Sequence, residues 1–279
     1  MKLGKHRKVS EETEREPWTV PHMQCLFSSP IWTGGGGHLR RLDANGGISV
    51  HHDAAYWLPP LLYYTHATLN EIAGLRIDEV NIGDAVPNLM IKNNDLRAEN
   101  GVDGGLKNKS RGRMIPLHEE ILRLGFAEYV EAIRADGHKA LFPELYLNEA
   151  RVGGHQFRNI AWGHMRNWIG LHMPIPVNEE SGKQADMHSI RSLGSSFYAK
   201  SEAPDFMRAD VMGHARTGTN ALHYSKRTKT HGVDQVLAEY KAFMASFTDV
   251  ATDHLQPHPV KLLPINHRSR TGRPRVKRS

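Results

Sequence analysis

The sequence has one cysteine and no long apolar run, and each shortage excludes a class of protein. Cys25 is the only cysteine among 279 residues, so no internal disulfide can form and the chain fits a reducing compartment. The longest apolar run, residues 54–64, is about half as long as a membrane span requires and contains two prolines. We therefore expect no membrane span.

The amino-terminal segment lacks the features of a secreted protein. Residues 1–16 are rich in charge, and no apolar segment follows their basic residues, as a secretory signal requires. These residues also show no apolar period, so we expect a disordered lead-in that adds nothing to the core. Both features favour a cytoplasmic protein.

The histidines do not form a metal-binding pattern. The chain has 18 of them, but it contains neither a His-Glu-x-x-His nor a Cys-x-x-Cys motif, and the histidines are scattered. We therefore expect no metal and no other cofactor.

Positive charge is concentrated at the carboxyl terminus. Seven Lys and Arg residues and no acid occupy the last 19 residues, whereas the net charge of the whole chain is only +6. The other 260 residues are therefore close to neutral. Residues 250–279 also lack an apolar period, so we expect a basic, disordered tail that binds a polyanion such as DNA by electrostatic attraction.

Apolar periodicity predicts a mainly helical domain with one small antiparallel β-sheet. Two short apolar segments separated by Asn-, Gly- and Asp-rich turns, NLMIKN and GRMIPL, predict the sheet. Helical spacing predicts helices elsewhere, and the prolines of the buried region at 53–74 are expected to bend or divide it. The predicted helices lie at 20–27, 53–74, 118–135, 155–170, 204–213 and 233–247.

Residues 187–224 place four groups suited to phosphate chemistry close together in the sequence. His188 and Arg191 lie three residues apart, so they share one face of a helix. The planar fork of arginine matches a phosphate, and histidine moves a proton near neutral pH. Further along, His214 follows a glycine, and ten residues later Tyr224 offers a phenol that could act as a nucleophile.

This order of boxes, His-x-x-Arg, Gly-His and Tyr, resembles that of the tyrosine recombinases, the phage-integrase superfamily. The resemblance covers residues 18–247 and implies a catalytic domain at about 17–249. It also implies that Tyr224 attacks a DNA phosphate to form a 3′-phosphotyrosyl link. Arg191 would clamp the phosphate, His188 would activate or reprotonate the tyrosine, and His214 would bond a non-bridging oxygen. Tyr198 is a rival nucleophile, but its apolar surroundings favour a core position.

The predicted hairpin adds a basic group to these boxes. Residues 107–117, KNKSRGRMIPL, resemble the family hairpin Lys-x-x-x-Ser-x-x-Arg-x-Ile-Pro-Leu. The alternative for its cations is a solvated basic turn. By position, the resemblance makes Lys107 the general acid that protonates the leaving 5′ oxygen. The predicted DNA-backbone contacts are Lys109, Arg111, Arg113, Lys226, Arg227, Arg273 and Arg275.

The tail residues Arg273 and Arg275 stand in a short motif of their own. Residues 271–275, TGRPR, resemble the Gly-Arg-Pro core of AT-hooks, which enter A·T minor grooves. The arginine that usually precedes the glycine is missing, so a plain electrostatic tail is the alternative.

One catalytic position departs from the resemblance. Residues 65–72, THATLNEI, match the family motif Thr-Gly-x-Arg-x-x-Glu-Ile, and Thr68 stands where the first catalytic arginine belongs. His66 replaces the glycine of that motif, and its imidazole could compensate for part of the lost charge. Arg76 is a rival candidate for the missing arginine. Eight helical residues span about 12 Å, which is too far for Arg76 to fill the same place.

The resemblance therefore implies site-specific DNA recombination without metal or ATP, attenuated by Thr68. The alternative is a catalytically inactive, integrase-derived DNA-binding protein, and a third reading is a topoisomerase-like or nuclease-like nicking enzyme. Too few residues precede the first catalytic helix for the family's amino-terminal core-binding domain, so we expect that domain to be absent. The resemblance also implies a bacterial or phage-derived protein that works at the nucleoid. Its partners would be double-stranded DNA and further copies of itself, for example in a tetramer joined through the carboxyl-terminal helix.

Overall fold

The computed structural model describes residues 15–44, 49–97, 112–147, 152–199, 204–214 and 223–274, with the backbone alone for residues 223–226. Within these ranges the α-helices are α1 (Val20–Phe27), α2 (Pro30–Thr33), α3 (Ala54–Thr65), α4 (Leu69–Ala73), α5 (Glu119–Arg123), α6 (Phe126–Ala135), α7 (Gly153–Phe157), α8 (Gly163–His172), α9 (His188–Ala199), α10 (Asp205–Met212), α11 (His223–His231) and α12 (Val233–Phe247). A π-helical turn, Arg158–Trp162, joins α7 to α8.

The strands form one small antiparallel sheet in the order β1 (Val80–Asn81), β2 (Asn88–Ile91) and β3 (Arg113–Pro116). Leu89 pairs with Ile115, and both side chains point into the core. The predicted mainly helical fold with a small antiparallel sheet is therefore confirmed.

Helix α3 passes through the centre of the core. Asp53 caps it by accepting hydrogen bonds from the first backbone N–H groups, and all twelve helical residues are buried. A proline at position 60 removes the helical partner of the Tyr56 carbonyl, and the Trp32 indole donates to that carbonyl instead at 3.2 Å. The prolines therefore do not divide the helix, which continues to Thr65. The region 53–74 is divided instead at residues 66–68, between α3 and α4.

The ends of the other helices follow local signals in most places. Helices α1 and α12 have the predicted bounds, and α10 ends at Gly213 in the left-handed conformation. The predicted helix at 118–135 is instead divided into α5 and α6, because Gly125 has a φ of 93°. An ordinary residue seldom takes that conformation, so the glycine permits the break.

The apolar stripe of α12 packs against its own domain. Val236, Leu237 and Met244 are buried, and the Phe243 ring stacks on Tyr198 with a centroid distance of 5.0 Å. Most of this stripe is therefore covered within the chain and is not an open surface for another copy.

The prediction of a disordered tail is wrong for residues 251–274, which pack against the body. Ser269 is fully buried, where its hydroxyl donates to Glu144 at 2.8 Å and its backbone N–H donates to Asp53 at 2.7 Å. Arg268 pairs with Asp136 at 2.7 Å, and the Leu42 N–H donates to the Thr271 carbonyl. These polar contacts, which apolar periodicity does not reveal, attach the segment to the α3 amino terminus, to the end of α6 and to the loop after α2.

Glu144, the buried carboxyl that accepts the Ser269 hydroxyl, is expected to make the stability of the fold depend on pH. Burial, and after it the charge of Asp53, raises the pKa of Glu144 from 4.5 to about 7. A carboxyl with a raised pKa favours the folded state at low pH, so stability falls as pH rises from 4.5 through 7, by about 3 kcal/mol at most. Glu144→Gln keeps the acceptor oxygen without the charge, so its melting temperature is expected to exceed that of the wild type at pH 8.5. Near pH 5 the difference in melting temperature between this variant and the wild type should be smaller.

Circular-dichroism melts from about pH 5 to 8.5 check this prediction. Glu128→Gln removes an exposed carboxylate and is the matched control, which should follow the wild-type profile. A Glu144→Gln protein that lost stability with pH as steeply as the wild type would refute the assignment to Glu144.

No helix in the described ranges is both long enough and apolar enough to cross a membrane.

Candidate functional site

The predicted His-x-x-Arg box begins α9. The Asp186 carboxylate accepts hydrogen bonds from the backbone N–H of His188 at 2.8 Å and of Ser189 at 3.3 Å, and so caps this helix. His188 is half-buried, and only 6% of Arg191 is exposed. The first turn of α9 therefore holds both side chains on a fixed backbone.

Arg191 connects α9 to two segments that are distant in sequence. Its Nη1 donates to the His66 carbonyl at 2.5 Å, just after α3, and its Nη2 donates to the Met212 carbonyl at the end of α10. His66 lies two residues before Thr68, and Met212 lies two residues before His214. The guanidinium therefore brings three of the predicted motifs together.

Thr68 has a structural role at the start of α4. Its side chain accepts from the Glu71 N–H at 3.4 Å, and Glu71 accepts from the Thr68 N–H at 2.8 Å, which is a capping box. The rival Arg76 pairs instead with Asp78 and Asp95. The Arg76 guanidinium is thus engaged by carboxylates, and the assignment of Thr68 to the missing arginine stays a prediction.

Glu71 and Arg113 form a buried ion pair beside Arg191. The Arg113 guanidinium donates to the two carboxylate oxygens at 3.0 and 3.2 Å and, through Nε, to the Val211 carbonyl at 2.9 Å. Burial alone would raise the pKa of Glu71, but Arg113 and then Arg191 hold it at about 2. Since only 5% of Arg113 is exposed, the prediction that it contacts DNA phosphate is wrong. Sequence reasoning assigned this charge to DNA, with a solvated basic turn as the alternative, and missed its carboxylate partner.

The neighbouring Arg113 explains why the Gly-His box begins with a glycine. Gly213 has a φ of 63°, and a Cβ there would lie 2.5 Å from Arg113 Nη1. Glycine is therefore required for both its conformation and its space. The next residue, His214, is exposed, and its backbone N–H donates to Ala209 at 3.0 Å. The imidazole of His214 is thus presented at the surface from a fixed turn.

His66 takes the left-handed conformation that suits the glycine of the family motif. Its φ is 54°, and its buried Nδ1 lies 2.8 Å from the Tyr198 hydroxyl. Gly194 leaves room for the ring, because a Cβ there would lie 2.3 Å from it. Burial, and after it the charge of Arg191, lowers the pKa of His66 to about 3. A neutral, enclosed imidazole cannot replace the arginine missing at Thr68, so the expected compensation is wrong.

Tyr198 lies in the core as predicted. It is 1% exposed, and burial raises the pKa of its phenol well above the usual range. Both properties exclude it as an accessible nucleophile.

The structure leaves part of the predicted site undescribed. Tyr224 and Lys226 lie on α11, whose backbone follows α10 in the chain, but their side chains fall outside the described atoms. Arg227 pairs with Glu239 and lies over the Phe206 ring at 5.1 Å, so contrary to the prediction its charge is used within the protein. The predicted residues outside the described ranges are Lys107, Lys109, Arg111 and Arg275.

The described side chains do not form a metal centre. Across these ranges no three His, Cys, Asp or Glu residues converge in a way that could hold an ion.

The similarity to known proteins is low. No protein-family model matches the sequence, and no curated protein matches it. Among solved structures, the chain is similar to the crystal structure of XerA recombinase, at 16% sequence identity and a TM-score of 0.39. The alignment covers 82% of this chain and 67% of that chain. A similarity this low assigns no function.

Proposed function

We propose that the chain is a DNA strand transferase of the tyrosine-recombinase family with Tyr224 as its nucleophile. The observation that carries the proposal is the contact of Arg191 with the His66 and Met212 carbonyls. It draws together the segments that bear Thr68, His188 and His214, as one phosphate-binding site requires. A chance set of short motifs has no reason to converge on one guanidinium.

In the proposed reaction the Tyr224 oxygen attacks a DNA phosphorus atom while its proton passes to His188. The bond from phosphorus to the 5′ oxygen breaks, and Lys107 gives that oxygen a proton, which leaves a 3′-phosphotyrosyl link and a free 5′ hydroxyl. Arg191 and His214 stabilise the charge on the non-bridging oxygens. Because one phosphoester replaces another, a 5′ hydroxyl of a second strand can reverse the step without ATP.

Thr68 limits the proposed activity. Removing one fixed donor to transition-state charge slows a reaction by about 10²- to 10³-fold, and threonine carries no charge. The Thr68 hydroxyl is in addition engaged at the start of α4. We therefore expect slow strand cleavage.

The same observations favour a second candidate, a DNA-binding protein that has lost cleavage. The capping role of Thr68 stabilises a site without the first arginine, and Arg191 already donates to two backbone carbonyls. A domain of this kind would keep its fold and its affinity for DNA without transferring a strand.

A nicked suicide DNA substrate separates the two candidates on a denaturing gel. The parent is expected to form a slowly accumulating protein–DNA adduct, and Tyr224→Phe is expected to form none. Thr68→Arg should raise the adduct rate by about 10²-fold or more, at a cost of about 1 kcal/mol in stability from the lost cap.

The other outcomes are equally informative. An adduct with Thr68→Arg but not with the parent identifies a lapsed enzyme. DNA binding without an adduct in either protein supports the binding function and contradicts strand transfer.

A further inference from the structure

Three exposed arginines lie near the place where the carboxyl-terminal segment docks on the body. Arg270 and Arg273 belong to that segment, and Arg40 belongs to the loop after α2. The backbone of Gly272 brings them together, since a Cβ on it would lie 2.5 Å from the Leu39 carbonyl oxygen and 3.5 Å from the Arg40 Cα. We call these three arginines the ridge.

The charge of the ridge is not neutralised within the protein. Among the described residues, none of the three guanidinium groups has an ion-pair partner, and the nearby Asp43 is buried. Asp53 pairs with the buried Arg41, and Asp136 pairs with Arg268. The ridge therefore presents an excess of positive charge to solvent.

Imidazoles surround the ridge. His164 on α8 lies 3.2 Å from the Thr271 hydroxyl, and the His38 and His267 rings are 5.0 Å apart. Burial, with the charge of Arg273 as a second cause, lowers the pKa of His164. These imidazoles beside the segment are neutral or cationic, which suits a surface that binds an anion.

The ridge is held in place by buried contacts. Ser269, which lies between Arg268 and Arg270, is fully buried and bonds to Asp53 and Glu144. At Gly272, with a φ of 68°, a side chain would meet the Leu39 carbonyl. A backbone fixed in this way needs little further ordering when the arginines bind, unlike that of a free arm.

We propose that the ridge is a preformed site for the phosphate backbone of double-stranded DNA, a contact additional to those of the phosphate that is cleaved. The proposal rests on DNA being the substrate of the proposed function. It replaces the flexible basic tail, whether a plain electrostatic tail or an AT-hook arm, expected from the sequence. A ridge that is held on the protein surface contacts the phosphates on the outside of the duplex. We therefore expect its affinity for DNA to be independent of base composition.

The salt dependence of DNA binding tests the ridge. The variant Arg40→Gln/Arg270→Gln/Arg273→Gln is compared with the full-length wild type by fluorescence anisotropy on a mixed-sequence duplex of about 40 base pairs. Each lost phosphate contact lowers the magnitude of the slope of log affinity against log salt by about 0.9. In the triple variant this magnitude should therefore be smaller by about 2 to 3. At 0.1 M salt its affinity should fall roughly 10- to 100-fold.

The matched control removes three cations that are not part of the ridge. Arg134→Gln/Lys139→Gln/Lys241→Gln changes the net charge by the same amount, but Arg134 and Lys241 are paired with acids. Its salt slope should change by less than about 1. Equal losses in both triple variants, or an unchanged slope in the ridge variant, would overturn the proposal.

Two further readouts keep the outcomes distinct. A·T-rich and G·C-rich duplexes should lose affinity equally in the ridge variant, whereas a loss confined to A·T-rich DNA would identify a minor-groove arm and overturn the ridge. Adduct formation on the suicide substrate is scored separately. An adduct with an unchanged salt slope rejects only the ridge, and a reduced slope without any adduct rejects only strand transfer.

Discussion

Replacing Arg191 with alanine is expected to lower the rate of covalent adduct formation by about 10³-fold or more. The guanidinium is the cation at the point where the motif segments meet, and loss of a single fixed donor to transition-state charge already costs about 10²- to 10³-fold. In the proposed site Thr68 stands at the first arginine position, so no arginine at that position helps Arg191 to stabilise the transition-state charge. Single-turnover cleavage of the suicide substrate measures the rate, and Arg191→Lys should recover little of it, because an ammonium group lacks the planar fork.

Arg123→Ala is the matched control for this prediction. Arg123 also donates to two backbone carbonyls, those of Thr252 and Leu255, and it pairs with Glu120, but it contacts no candidate site residue. Both variants should lose some stability, and only Arg191→Ala should lose cleavage at a temperature where both are folded. Equal rates in the two variants would show that Arg191 is only a structural residue.

Glu71→Ala is expected to destabilise the fold by about 3 to 5 kcal/mol. It leaves the buried Arg113 charge without its carboxylate partner, and removing one member of a buried ion pair typically costs that much. The expected loss exceeds that of Thr68→Ala, which removes only a cap and should cost about 1 kcal/mol. Urea denaturation followed by circular dichroism measures both.

The pH dependence of stability provides a second check on Glu71. Its folded pKa of about 2 lies below the ordinary value of 4.5, so its stabilising contribution is complete above pH 4.5 and disappears as pH falls toward 2. The difference in the free energy of unfolding between the wild type and Glu71→Gln should therefore become smaller at acidic pH. A difference that stayed constant from neutral pH to pH 3 would contradict the ion-pair assignment.

The elements that sequence reasoning predicted well are those specified by local signals. The bounds of α12 follow from an apolar stripe after a glycine, the start of α1 from a first-turn proline, and the β2–β3 pairing from two short apolar segments. The break between α5 and α6 was missed, since one glycine in an amphipathic pattern does not reveal its φ in advance.

The roles that sequence reasoning missed depend on partners far away in the chain. Arg113 resembles the other cations of its loop until Glu71, 42 residues earlier, is found beside it. Likewise, Ser269 lies in a segment that composition marks as disordered, but it docks on Asp53, 216 residues earlier. Single-residue propensities contain no information about such pairs, although the unusual His66 at a glycine position was a visible signal of local constraint.

The most direct measurement of the central claim is the identity of the residue that holds the DNA. The adduct from the suicide substrate is digested with nuclease and protease, and the modified peptide is sequenced by mass spectrometry. The account predicts a nucleotide remnant on Tyr224, linked through a 3′ phosphate. A remnant on any other residue, or a 5′-phosphate linkage, would contradict it.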